Sequence, residues 1–139
     1  MASIKRFEDL ECWKTARQIV QLVYGFNRHG PAERDFGFRN QIQRAAVSIM
    51  SNIAEGFESR TQATFIDYLG HAKASAGEVR SQLYAALDLD YLEHNEFEEL
   101  ATLCKRCSSQ IYGLIKYLKS KPNQHRISED GAPYLISED

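Results

Sequence analysis

Apolar residues recur every three or four positions along most of this chain, which is the spacing of one face of an α-helix. The pattern covers residues 9–28, 39–57 and 62–89, and a fourth stretch begins near Asn95 and stops before Pro122. Proline closes the fourth stretch because it cannot continue the helical hydrogen bonding. The pattern therefore predicts an all-α chain with four long helices.

The first predicted helix has a wide apolar surface. The residues of its main face are Trp13, Ala16, Val20, Val23 and Tyr24. A second apolar group widens the arc: Cys12, Ile19, Leu22 and Phe26. The combined arc of roughly 200° exceeds the ~100° stripe of an ordinary bundle helix, so we expect part of it to meet a partner.

The other three helices carry regular core stripes and recognisable ends. The stripes run through Ile42, Ile49, Ile53, Phe65, Leu69, Val79, Leu83, Leu100, Ile111 and Leu118. Thr61 or Ser59 can cap the third helix, and Asn95 with Glu98 predicts a capping box for the fourth. Breaks of roughly four to ten residues favour antiparallel neighbours, which predicts an antiparallel up-and-down four-helix bundle over residues 1–120.

Small residues occupy the middle of the third helix. They are Ala72, Ala74, Ser75, Ala76 and Gly77. Side chains of this size let another backbone approach closely, so we expect this stretch to pack tightly against a neighbour.

The predicted C-terminal tail, residues 121–139, differs from the bundle in composition. It repeats Ile-Ser-Glu-Asp from Ile127 and from Ile136, and its last 13 residues hold four acids and no base. Such a segment cannot build its own core. We expect an extended tail that is either disordered or held as a strap.

Composition places the chain among ordinary single-domain proteins. It has 139 residues, of which 43% are apolar and 26% charged, which excludes collagen, low-complexity and disulfide-framework classes. No apolar run is long enough for a membrane span or signal peptide, so we expect a cytoplasmic protein that does not enter membranes. The net charge of −2 hides an asymmetry, because residues 1–126 carry 17 bases and 15 acids.

Catalytic and metal-binding motifs are missing from the sequence. Cys104 and Cys107 form a CxxC pair, but it lies inside a predicted helix, so we expect buried structural thiols. The four histidines are scattered, and no phosphate loop or nucleophile elbow occurs. We therefore expect no enzyme activity, metal or cofactor.

Two polar features admit both a structural and a functional interpretation. Ser48, Asn52 and Glu55 form a ridge beside the core of the second helix, which either fixes packing through hydrogen bonds or binds a ligand. Five basic residues on or near the two middle helices form either a solvated, ion-paired surface or a phosphate-binding patch. They are Arg39, Arg44, Arg60, Lys73 and Arg80.

Residues 7–14 and 36–57 resemble a known family. The motifs are Phe-Glu-Asp-Leu-Glu-Cys-Trp-Lys and, further on, Arg-Ala-Ala-Val-Ser followed by Ser-Asn-Ile-Ala-Glu-Gly. They are similar to the bacterial four-helix-bundle proteins encoded in intervening sequences of 23S rRNA genes. That family includes the accessory variability determinant of diversity-generating retroelements.

The resemblance implies a homopentameric bundle without known catalysis and with a suspected nucleic-acid or ribonucleoprotein role. Two hypotheses follow. In the first, the chain is an oligomeric adaptor that binds RNA or a nucleic-acid enzyme, with the five basic residues as candidate contacts. In the second, it is an oligomeric protein–protein interaction scaffold that binds no nucleic acid.

Overall fold

Helices fill most of the computed structural model, which describes residues 2–28, 30–121 and 134–136. The helices are α1 (Glu11–Phe26), α2 (Gly30–Arg34), α3 (Phe36–Glu58), α4 (Gln62–Asp88) and α5 (His94–Lys119). A 3-10 turn at Phe7–Asp9 precedes α1. Two short strands, β1 (Ala2–Ile4) and β2 (Tyr134–Ile136), lie near the chain ends.

The four long helices form a closed ring. Helix α1 packs on α3, α3 on α4, α4 on α5, and α5 returns to α1. Gln62 at the start of α4 bonds to Leu118 at the end of α5, so these neighbours run antiparallel. The predicted all-α bundle is confirmed. Among the described residues, no helix is long and apolar enough to cross a bilayer.

The predicted core stripes are confirmed, with one shift on α1. Every stripe residue named above for the later helices is buried. On α1, however, the centre of the buried face lies at Cys12, Ala16 and Ile19, while Tyr24 is 36% exposed and Val20 is half-buried. The shift arises because α1 packs between α3 and α5, so the middle of its wide arc faces inward.

The predicted N-cap is confirmed for α4 and wrong for α5. Thr61 caps α4 as predicted, accepting a hydrogen bond from the Thr64 amide at 3.1 Å. The predicted capping box of α5 is wrong: the helix begins at His94, and the Glu93 amide donates to Glu96 Oε1 at 2.8 Å. The capping box therefore lies two residues earlier than predicted: Glu93, and not Asn95, is the N-cap residue, and Glu96 is its partner.

A short helix that the sequence pattern did not predict joins α1 to α3. Gly30 begins α2 with φ of +62°, a left-handed conformation that glycine adopts without strain. Asp35 then caps α3 and accepts from the Phe38 amide at 3.1 Å. The Tyr91 hydroxyl donates to the same carboxylate at 2.5 Å, which lowers the pKa of Asp35 and raises the pKa of Tyr91. This bond ties the α4–α5 connection to the start of α3.

Three residues of the predicted tail are held in an extended conformation. Strand β2 pairs antiparallel with β1, with Ala2 opposite Ile136 and Ile4 opposite Tyr134. The strap alternative therefore holds for these three residues. The rest of the predicted tail, residues 122–133 and 137–139, lies outside the described residues.

Candidate nucleic-acid interface

The polar ridge of α3 makes one hydrogen bond to α4, through Ser48. Ser48 Oγ lies 3.0 Å from Ser75 Oγ, across the α3–α4 contact. Asn52 Nδ2 donates to Ser48 O at 2.8 Å and to Ser48 Oγ at 2.9 Å. Glu55 is exposed at the outer edge of the ridge. Ser48 thus makes the bond between helices that the structural interpretation of the ridge requires, and Asn52 bonds to Ser48 within α3.

Gly56 lies where α3 and α4 approach each other closely. A Cβ at this position would lie 2.7 Å from Tyr68 Cβ and 2.9 Å from Phe65 Cδ1, which are distances that real side chains do not tolerate. The small-residue stretch of α4 does not play this part throughout: Ala72 and Ala76 are buried, whereas Ala74 and Gly77 are exposed. The Ser-Asn-Ile-Ala-Glu-Gly motif therefore reflects tight α3–α4 packing.

Three of the predicted basic residues lie apart from one another on or beside α3. Arg39 donates from Nη1 to Glu33 O at 2.8 Å and places its guanidinium carbon 4.9 Å from the centroid of the Phe36 ring. Arg44 is exposed, one helical turn from Ser48 on the flank towards α4. Arg60 is exposed just after the end of α3, more than four turns along the helix from Arg44.

Lys73 and Arg80 lie on the other flank of α4, towards α5. Arg80 lies one helical turn before Tyr84, whose ring packs against Phe97 of α5. Lys73 is seven residues from Arg80 and shares its face. Both are about 140° or more round the helix from Ser75, which meets α3. The structure therefore brings these two candidates together and separates them from Arg44.

Two residues that the sequence analysis missed complete this surface. Lys105 and Tyr112 of α5 are seven residues apart, like Lys73 and Arg80, and helical spacing places both on the side of Phe97, which contacts Tyr84 of α4. The signal was their heptad spacing. We define the α4–α5 face by the residues that the two helices contribute to it: Lys73, Gly77, Arg80, Tyr84, Lys105 and Tyr112.

The cations of the α4–α5 face make no ion pair within the described residues, although Glu98 lies on the same flank of α5, seven residues before Lys105. Among the described residues, ion pairs join Arg6 to Glu8 and Lys14 to Glu11, and no pair involves a cation of the face. Glu78, the acid nearest in sequence to Arg80, points away from α5 and accepts a hydrogen bond from Gln82. The exposed cations of this face are therefore available to an anionic partner.

Gly77 lies between the two cations of α4, and exposed tyrosine rings lie at both ends of the α4–α5 face. A Cβ at Gly77 would meet no atom within 4 Å, so the surface there is shallow. Tyr84 is 56% exposed and packs edge-on against Phe97 at 5.0 Å between ring centroids. Tyr112 is 54% exposed. Phe97, which contacts Tyr84, and Tyr112 are about 22 Å apart along the axis of α5, at a rise of 1.5 Å per residue.

The cysteines lie inside the bundle. Burial raises the pKa of Cys104 and of Cys107 to about 12. Cys107 Sγ donates to Cys12 O at 3.6 Å. Within the described residues, no three His, Cys, Asp or Glu side chains gather as a metal ion requires. Protonated thiols in these positions pack as small apolar groups.

A groove of about 720 Å³ runs between α1 and α5, on the side of the bundle away from Lys73 and Arg80. Leu22 and Leu103 form its apolar part. Glu98, Glu99 and Arg106 line its polar part, so the groove carries charges of both signs.

Comparison with known proteins gives a family and a related fold. Residues 8–113 match the family described as 23S rRNA-intervening sequence protein. The fold is similar to that of a Bacteroides thetaiotaomicron protein of unknown function from the S23 ribosomal protein family. That likeness has a TM-score of 0.69 and 22% identity, and it covers 76% of this chain and 95% of the other. No curated protein matches the chain significantly.

Proposed function

The chain belongs to the 23S rRNA-intervening sequence protein family, and on that premise we propose that it is a homo-oligomeric cytoplasmic adaptor that binds RNA, free or in a ribonucleoprotein. It holds the RNA through its phosphates and performs no catalysis of its own. The α4–α5 face carries this proposal, because Lys73, Arg80 and Lys105 are exposed there without ion-pair partners among the described residues.

Assembly strengthens a patch that would be weak in one copy. Two or three cations bind a polyanion poorly, but several copies on one rigid scaffold engage it together and raise avidity without new contacts. The resemblance of the sequence motifs implies five copies. We propose a pentamer in which the α4–α5 faces of several copies bind one RNA molecule.

The test is a titration of a structured RNA against the wild type and the double variant Lys73→Ala, Arg80→Ala at low and moderate salt. Each lost phosphate contact lowers the slope of log affinity against log salt by ~0.7–0.9. We expect the double variant to bind roughly tenfold or more weakly at low salt, with a slope at least about 1.5 shallower.

Arg28→Ala with Arg34→Ala is the matched control. These arginines are also exposed, and their removal changes the charge equally, but they lie at the α1–α2 end of the bundle. The control should keep wild-type affinity to within about twofold. Equal losses in both variants would contradict the assignment to the α4–α5 face and indicate non-specific charge attraction. An absence of wild-type binding at low salt would contradict RNA binding altogether.

The second candidate is a scaffold that binds a protein. The groove between α1 and α5 favours it, because an apolar floor at Leu22 and Leu103 with a rim of mixed charge suits a peptide segment better than a polyanion. Under this alternative, Lys73→Ala with Arg80→Ala leaves partner binding unchanged, while Leu22→Asn, at the half-buried residue of the groove floor, weakens it and leaves the bundle folded.

A further inference from the structure

We infer that the α4–α5 face takes unpaired RNA, with bases stacked on the Tyr84 and Tyr112 rings and phosphates on the cations between them. This inference rests on the proposed RNA binding and deepens it by naming the form of RNA. Stacking of bases on aromatic side chains, combined with a cationic track for the backbone, is how single strands are bound without sequence preference.

The two rings are placed as stacking surfaces. More than half of each tyrosine is exposed, although packing is the usual fate of large aromatic side chains. Contact with the buried Phe97 ring holds Tyr84 in place. The Lys116 ammonium, 5.6 Å from the Tyr112 ring centroid, adds positive charge at that end. Both rings are therefore anchored on rigid helices and remain open on one side.

The distance between the rings suits a short single strand. Phe97, which contacts Tyr84, and Tyr112 are about 22 Å apart along α5. That length corresponds to roughly four to six nucleotides, the low end of the site sizes of single-strand-binding folds. Lys73, Arg80 and Lys105 fall between the rings, and the open surface at Gly77 lets a backbone lie close to them.

A duplex fits this face less well. The bases of an A-form helix are paired and stacked, and its deep, narrow major groove excludes side chains. The phosphates of a duplex would therefore contact the cations, but its bases would not stack on either tyrosine ring. Loops, bulges and ends expose bases that can leave the stack and lie on the rings.

The experiment compares a ten-nucleotide single-stranded RNA with a blunt ten-base-pair duplex. Binding is measured for the wild type, for Tyr84→Leu with Tyr112→Leu, and for Tyr84→Phe with Tyr112→Phe. We expect the leucine variant to bind the single strand roughly tenfold or more weakly and the duplex to within about twofold of wild type, because only the stacking is lost. The phenylalanine variant keeps the rings and should bind both like the wild type.

Tyr24→Leu is the matched control, since Tyr24 is also an exposed tyrosine on a helix but lies on α1. It should leave both affinities unchanged. Unchanged single-strand affinity in Tyr84→Leu with Tyr112→Leu, alongside a loss in Lys73→Ala with Arg80→Ala, would overturn the stacking inference and leave RNA binding standing. A lower assembly mass in the leucine variant would overturn it too, by assigning the rings to contacts between copies. If the wild type binds neither RNA, the proposed function itself fails.

Discussion

Gly56 lies at a contact between α3 and α4 that leaves no room for a side chain. Alanine there would press its Cβ against Tyr68 Cβ, which is fixed to the α4 backbone, so the two helices must separate. Overpacking of this kind costs about 1–3 kcal/mol, and the gain of ~1 kcal/mol in helix propensity offsets only part of it. We expect Gly56→Ala to lower the free energy of unfolding by up to about 2 kcal/mol in urea denaturation.

The control for Gly56 is Gly70, which lies in α4 with no atom within 4 Å of an added Cβ. Gly70→Ala should raise stability by about 0.5–1 kcal/mol, because alanine favours the helix and nothing obstructs it. A Gly56→Ala protein as stable as Gly70→Ala would show that α3 and α4 do not pack this closely.

Single residues were predictable where their role is local. The position of Ser48 and Asn52 beside the core follows from helical spacing, and their hydrogen bonds follow from the need to satisfy half-buried polar groups. Which cations share a surface is not local. Lys73 and Lys105 are 32 positions apart, and only the α4–α5 register brings their faces together. The spacing of Lys105 and Tyr112 marked one face of α5 but could not say what lay beside it.

Helical elements were predictable because their stripes are long. The third predicted helix, residues 62–89, differs from α4 by one residue at its end. The second begins three residues earlier than predicted, since Asp35 supplies a cap that the apolar pattern does not reveal. Helix α2 was missed because five residues are too few to show a period, and its start depends on the left-handed Gly30.

The apolar pattern of the sequence could not predict pairing between elements that are distant along the chain. The sequence left two alternatives for the tail, disorder or a strap. Tyr134–Ile136 pairs with Ala2–Ile4, which is the strap alternative for those residues. Three-residue strands give no alternation that a sequence pattern could identify. Contacts between the two ends of a chain depend on where the bundle places them.

At the scale of the whole molecule, the proposal requires assembly. Sedimentation equilibrium should give a mass several times the 15.9 kDa of one chain, and near five times if the pentamer forms. The half-buried Trp13, Val20 and Leu22 of α1 offer apolar surface for the contact. A mass near 16 kDa that stays constant with concentration would contradict the assembly.

The central claim is that repeated α4–α5 faces bind one RNA through its phosphates. The salt dependence of wild-type affinity for a single-stranded RNA long enough to span several copies tests it most directly. One face offers Lys73, Arg80, Lys105 and Lys116, which corresponds to a slope of about −3 at ~0.7 per contact. The account predicts a slope clearly steeper than about −3, because several copies engage the strand. A slope of about −3 or shallower, or no binding at low salt, would contradict it.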